Sequence, residues 1–189
     1  MRRELHRCAE AYAPDCHGRV TSFGNLHLTL FFLGNVAADR MSTLIELAAR
    51  LSRADFDLEF GVTGYWRHNR IVWAAPHSAP EALRGLVHEL EQGLWRADFS
   101  FDRQSRGNNY VPHVTLLRNA RPPSALAAVS FHWHVNDFAL IESVRGANGP
   151  TYQVRARWPL LPARSSSAKV SSKSFDKMTV VSHHFGRQA

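Results

Sequence analysis

Asn25-Leu26-His27-Leu28-Thr29-Leu30-Phe31-Phe32-Leu33-Gly34 is the stretch around which this chain is organised, and Pro112-His113-Val114-Thr115-Leu116-Leu117-Arg118 echoes it. Each copy places a His and a Thr two residues apart in an apolar, β-prone run, so each predicts a strand. Alternate strand residues share a face, so His27 and Thr29 point one way, as do His113 and Thr115. Leu28, Leu30, Val114 and Leu116 fill the opposite face. With 11 His and 7 Thr in 189 residues, about 0.4 His-x-Thr triplets arise by chance, so one alone says little. Two, each followed by Leu inside a strand-like run, carry the signal.

Two imidazoles flanking one phosphodiester are able to act as general acid and general base near neutral pH, where only His has an unperturbed pKa. Threonine hydroxyls donate hydrogen bonds to non-bridging oxygens, and an arginine offsets charge building on phosphorus. Arg118, just past the second strand's end, is placed to supply that charge. This chemistry needs no metal. His132-Trp133-His134 and His183-His184 are the other paired imidazoles, and no third ligand at a recognisable spacing accompanies either. No metal and no cofactor are therefore expected. The sequence has neither a glycine-rich phosphate loop nor a Gly-x-Ser-x-Gly elbow.

A chain of this length, 44% hydrophobic, is able to bury one proper core, and its net charge of +7 suits a phosphate-bearing partner. No apolar run approaches the roughly 18 residues of a membrane span, and the charged start lacks a hydrophobic signal region, so a cytoplasmic protein is expected. Cys8 and Cys16 are too few for a disulfide framework and read as reduced thiols near a helix end. The lysines, Lys169, Lys173 and Lys177, fall only near the C-terminus, where seven serines also gather after Ala163. Residues 163–189 thus read as a Ser/Lys-rich flexible tail behind a domain at 1–162. Within the tail, Lys177-Met178-Thr179-Val180-Val181-Ser182 is strand-like.

In order, the core predicts a helix from Glu4 to about Ala13 that stops at Pro14, a helix over Ala37–Leu51, and a helix over Pro80–Trp95. Strands are expected at Phe56–Val62 and Ile71–Ala75, forming a hairpin across Arg67–Arg70, and near Phe131–Ser143 and Thr151–Trp158. Arg103–Asn109 is read as a polar loop. The expected fold is α+β and bilobal. Each motif strand would lie in its own helix-backed antiparallel sheet, with a groove between the two lobes.

At His27-Leu28-Thr29-Leu30 and His113-Val114-Thr115-Leu116, 86 residues apart, the chain resembles the two-histidine (2H) phosphoesterases. More narrowly, it is similar to the bacterial RNA 2′,3′-cyclic phosphodiesterases, also called 2′-5′ RNA ligases. Asn25-Leu26, Phe31-Phe32-Leu33-Gly34, Gly64-Tyr65-Trp66, Arg70-Ile71-Val72-Trp73, Pro112 and Leu117-Arg118 extend the likeness over roughly residues 2–160. The resemblance implies hydrolysis of a terminal 2′,3′-cyclic phosphate on RNA, including tRNA fragments, to a 2′-phosphomonoester by a monomer, with ligation as its reverse. It implies that His27 donates a proton, that His113 accepts one, and that Thr29, Thr115 and Arg118 bind the phosphate. Phe32 would stack on the terminal base. Members of the family usually open with an apolar strand before the first helix, which this chain lacks. The strand-like part of the tail is able to take such a place. An RNA-end or nucleotide-binding protein with little turnover is the alternative, as is a phosphodiesterase acting on 2′-5′-linked oligonucleotides or on the cyclic phosphate of a small cyclic nucleotide.

Overall fold

The computed structural model describes residues 1–101, 110–126, 129–146, 149–162 and 177–183. The expected polar loop at 103–109 and the remainder of the tail lie outside them. The chain divides into two compact units, one of Met1–Leu28, Asp57–Ala79 and Pro112–His134, the other of Thr29–Phe56, Pro80–Val111 and Val135–Ala189. The architecture is α+β, built on mostly antiparallel sheet.

In the first unit, helix α1 spans Arg2–Cys16 and buries Leu5, Ala9, Tyr12 and Cys16 at helical spacing. It runs past Pro14, where a stop was expected. The ring removes only the hydrogen bond to the carbonyl of exposed Glu10, and the helix ends at His17 in the left-handed conformation, whose N–H caps Ala13. The sheet comprises β1 (Arg19–Val20), the start of β2 (His27–Asn35), β3 (Phe56–Trp66), β4 (Ile71–Pro76), β5 (Val114–Arg118) and β6 (Phe131–Val135). Its order is β6-β3-β4-β5, and both β1 and β2 pair with β5. The expected hairpin is present, with Trp66 paired to Ile71 across the Arg67–Arg70 turn.

The tyrosine hydroxyl of Tyr12 is 2.9 Å from Thr63 Oγ1, a buried contact. Thr63 alternates with Gly64, so α1 covers the face opposite Gly64 and Trp66. Leu28, Val114, Leu116 and Leu117 are fully buried. Each such side chain contributes about 1.5–3 kcal/mol of hydrophobic stabilisation, which fixes the register against slippage.

In the second unit, α2 (Met41–Ala49) follows a short 3₁₀ turn at Ala38–Arg40, and α3 (Glu81–Arg96) buries Leu83, Leu86, Val87, Leu90 and Leu94. Arg40 lies 4.6 Å over the Phe99 ring. The strand expected over 131–143 is two strands, because β6 ends at Val135 and β7 (Asp137–Gly146) starts after Asn136. β7 pairs antiparallel with β8 (Gly149–Pro159). Of the two sequence readings of the tail, Lys177–His183 takes the strand: β9 pairs parallel with β7, Ala139 opposite Thr179 through Ser143 opposite His183. The strand order continues β2-β9-β7-β8, and β7 is buried from Phe138 to Ser143.

Candidate active site

Leu28 of β2 pairs antiparallel with Val114 of β5. Continuing that register by one residue sets His27 across from Thr115. On the other side of β5, Thr115 pairs with Trp73, which pairs in turn with Gly64. Cross-strand partners share a face, so Gly64, Trp73, Thr115 and His27 form one row on the face away from α1. His113 precedes β5 and alternates onto the same face. His27, His113 and Thr115 are each half-buried, flanked by fully buried leucines and valine. The polar groups are thus reachable while their backbone is fixed by the core.

His27 Nδ1 lies 2.6 Å from the Asn25 carbonyl oxygen. A carbonyl only accepts, so Nδ1 carries the proton and the ring presents Nε2 as its reactive nitrogen. Trp66 meets His113 edge to face, ring centroids 4.5 Å apart at 74°. Trp66 also leans on Trp73, 5.4 Å between centroids, and a side chain on Gly64 would lie 2.1 Å from the Trp73 ring. The glycine therefore seats Trp73, Trp73 supports Trp66, and Trp66 walls His113.

Arg118 reaches this face through a bulge. Trp73 pairs with Thr115 but Val72 with Leu117, so Leu116 is an extra residue in β5. Leu117 then turns into the core with Val72, both fully buried, and half-buried Arg118 returns to the side of His113 and Thr115. Straight alternation from His113 would have put Arg118 on the opposite side.

Thr29 alternates with His27 along β2, and its carbonyl accepts a 3.1 Å hydrogen bond from the Tyr110 hydroxyl. Burial pushes that phenol well above its ordinary pKa, so it stays protonated and donates. Leu30 and Phe31 are both fully buried, so the alternation slips and Phe32, not Phe31, is the half-exposed ring. Phe31 is the core phenylalanine, packed edge to face on Phe101 at 5.4 Å.

The paired imidazoles of β6 go elsewhere. His132 Nε2 and His134 Nδ1 each lie 2.8 Å from Asp57 Oδ1 on an exposed strand face. Among the described residues no three His, Cys, Asp or Glu side chains are grouped to hold a metal, and no helix is long and apolar enough to cross a membrane. His184 is outside those residues. Both cysteines are free, Cys16 buried and Cys8 half-buried. Sequence reasoning gave no role to Trp66, Tyr110 or Arg19. The one cue to Trp66 was its place in Gly64-Tyr65-Trp66.

An α+β chain whose two His-x-Thr motifs lie on paired strands is a 2H phosphoesterase by architecture. The 2′-5′ RNA ligase superfamily matches residues 3–147, and the chain belongs to that family. It is 32% identical over 159 residues to the RNA 2′,3′-cyclic phosphodiesterase of Escherichia coli K12, covering 82% of this chain and 87% of that one. It is also 32% identical over 144 residues to the enzyme of the same name from Thermus thermophilus, covering 71% and 72%. Among solved structures, E. coli LigT in apo form superposes with a TM-score of 0.75 at 30% identity, covering 85% of this chain and 90% of that one. LigT complexed with 3′-AMP gives 0.72 at 31% identity, with the same coverage.

Proposed function

We propose that this protein hydrolyses the terminal 2′,3′-cyclic phosphate of RNA to a 2′-phosphomonoester, as a metal-independent cytoplasmic monomer. The observation that carries the reading is the register Leu28 to Val114, which joins the two His-x-Thr motifs within one sheet. Two relatives sharing about a third of their residues bear the name of this activity. In this reaction His113 accepts the proton of a water attacking phosphorus. The P–O3′ bond breaks, and His27 gives its Nε2 proton to the departing 3′ oxygen. The hydrogen bond from His27 Nδ1 to the Asn25 carbonyl leaves Nε2 as the nitrogen for that transfer. Thr29 and Thr115 donate to the non-bridging oxygens, and Arg118 offsets the added negative charge. Phe32 stacks on the terminal base, an interaction worth about 1–3 kcal/mol. Attack by the 5′-hydroxyl of a second RNA in place of water, with His113 taking its proton and the P–O3′ bond breaking onto the proton of His27, uses the same groups and gives 2′-5′ ligation.

The test is incubation of the purified chain with an RNA oligonucleotide ending in 2′,3′-cyclic phosphate, in excess EDTA. The expected product is one water heavier, carries a 2′-phosphate, and forms at the rate seen without chelator. Loss of activity in EDTA with recovery on Zn²⁺ or Mn²⁺ would refute the metal-independent mechanism. Tight binding of the end without turnover would favour a role in RNA-end binding.

A further inference from the structure

Arg19 of β1 is the direct cross-strand partner of Arg118. Like charges set opposite one another on antiparallel strands repel and destabilise the pair unless something anionic lies between them. Several other arginines among the described residues face a carboxylate, as Arg53 does with Glu89 at 2.6 Å and Arg157 with Asp137 at 2.6 Å. Arg19 and Arg118 have no such partner among the described residues. Arg70, nearby, is spent on the protein itself, donating to the carbonyls of Asn119 and Ala120.

The surroundings strengthen the point. The segments 16–28, 60–79 and 112–134, which build β1, β4, β5, the start of β2 and most of β3, contain no Asp or Glu. They carry Arg19, Arg67, Arg70, Arg118 and Arg121. Both members of the pair project on the face of His113 and Thr115, because the bulge at Leu116 turns Arg118 there and cross-strand partners share a face. Arg118 lies three positions beyond Thr115, and because the bulge takes up one of them the two stand roughly 7 Å apart along the strand. Arg118 is able to lean back toward a phosphate held over Thr115, whereas exposed Arg19 stands farther out, beyond that first phosphate.

We infer that Arg19 and Arg118 form a clamp for the RNA backbone, in which Arg19 holds the phosphodiester on the 5′ side of the terminal nucleotide. The preferred substrate is then a polynucleotide end and not a cyclic mononucleotide. This rests on the cyclic phosphodiesterase reading given above and adds a second phosphate to it.

The test compares a 2′,3′-cyclic mononucleotide with a trinucleotide ending in 2′,3′-cyclic phosphate, using the full chain, Arg19→Ala, Arg19→Lys and Arg118→Ala. Arg19→Ala is expected to lower kcat/KM on the trinucleotide about tenfold more than on the mononucleotide, through KM, as loss of one phosphate contact does. Arg19→Lys keeps the point charge and restores most of the loss. Arg118→Ala impairs both substrates alike. Equal losses on the two substrates for Arg19→Ala, or none on the trinucleotide, overturn the clamp. If the unaltered chain hydrolyses neither substrate, the activity reading fails, and binding then decides the clamp alone. Anisotropy titrations of a short single-stranded RNA should show the salt slope of log K smaller by about 0.7 in Arg19→Ala. An unchanged slope overturns the clamp.

Discussion

His27→Ala and His113→Ala are each expected to lower kcat on a cyclic phosphate end by at least about 10²-fold, because each removes one of two proton transfers in a single transition state. The double variant should lose far less than the product of the single losses, since a missing base leaves little for the acid to assist. Steady-state kinetics of the three variants decide this. The rate of the unaltered enzyme should be bell-shaped in pH, falling on the acid side as the base is protonated and on the alkaline side as the acid is lost. Both limbs should disappear in turn when the corresponding histidine is removed. Thr29→Ala and Thr115→Ala remove one donor to a charged oxygen and should cost about 1.5–3 kcal/mol each. A folded variant in which either histidine is replaced with less than a threefold change would make that residue a core histidine.

The second large effect concerns stability. Ending the chain at Pro162 removes β9, whose backbone pairs with β7 from Ala139 to Ser143 and which neighbours β2 in the strand order. Ala139, Leu140 and Ile141 are buried in the strand it covers. Loss of about five backbone hydrogen bonds at about 0.5–1.5 kcal/mol each comes to roughly 3–7 kcal/mol. Whole domains are stable by only about 5–15 kcal/mol, and a bared apolar edge pairs with other chains. The shortened protein should melt about 10–20 °C lower or accumulate as aggregate. A thermal melt that coincides with that of the full chain would show that residues 163–189 contribute nothing to the fold.

The two motif strands were legible because period-two alternation of Leu and Val against His and Thr is a local pattern, and burial in the structure follows it residue by residue at 26–30 and 112–116. The three helices were legible for the same reason, with the first extending to Cys16 because a proline in a helix's last turn forfeits only one bond. What stayed hidden depends on pairing between distant segments. The bulge that aims Arg118 exists only when β4 is laid against β5, and no pattern in Val114–Arg118 announces it. The slip between Leu30 and Phe31 that exposes Phe32 is equally silent in Leu-Phe-Phe-Leu. Trp66 and Arg19 gain their meaning from His113 and Arg118, separated from them by 47 and 99 residues. β9 was ambiguous because its apolar alternation is short and follows a serine-rich linker, and only the partner strand β7 decides it.

If His27 and His113 divide acid and base work on one phosphate, the leaving group reads that division most directly. A 3′-deoxynucleoside 2′-(p-nitrophenyl phosphate), held through the P–O2′ bond that the reaction retains, expels in place of the 3′ oxygen a phenolate that needs no proton, so the general acid becomes dispensable while the base does not. His27→Ala is then expected to recover to within about tenfold of the unaltered enzyme on the aryl ester while staying at least about 10²-fold down on the cyclic phosphate. His113→Ala should stay impaired on both. Equal impairment of His27→Ala on the two substrates, with His113→Ala the variant that recovers, would contradict the assignment.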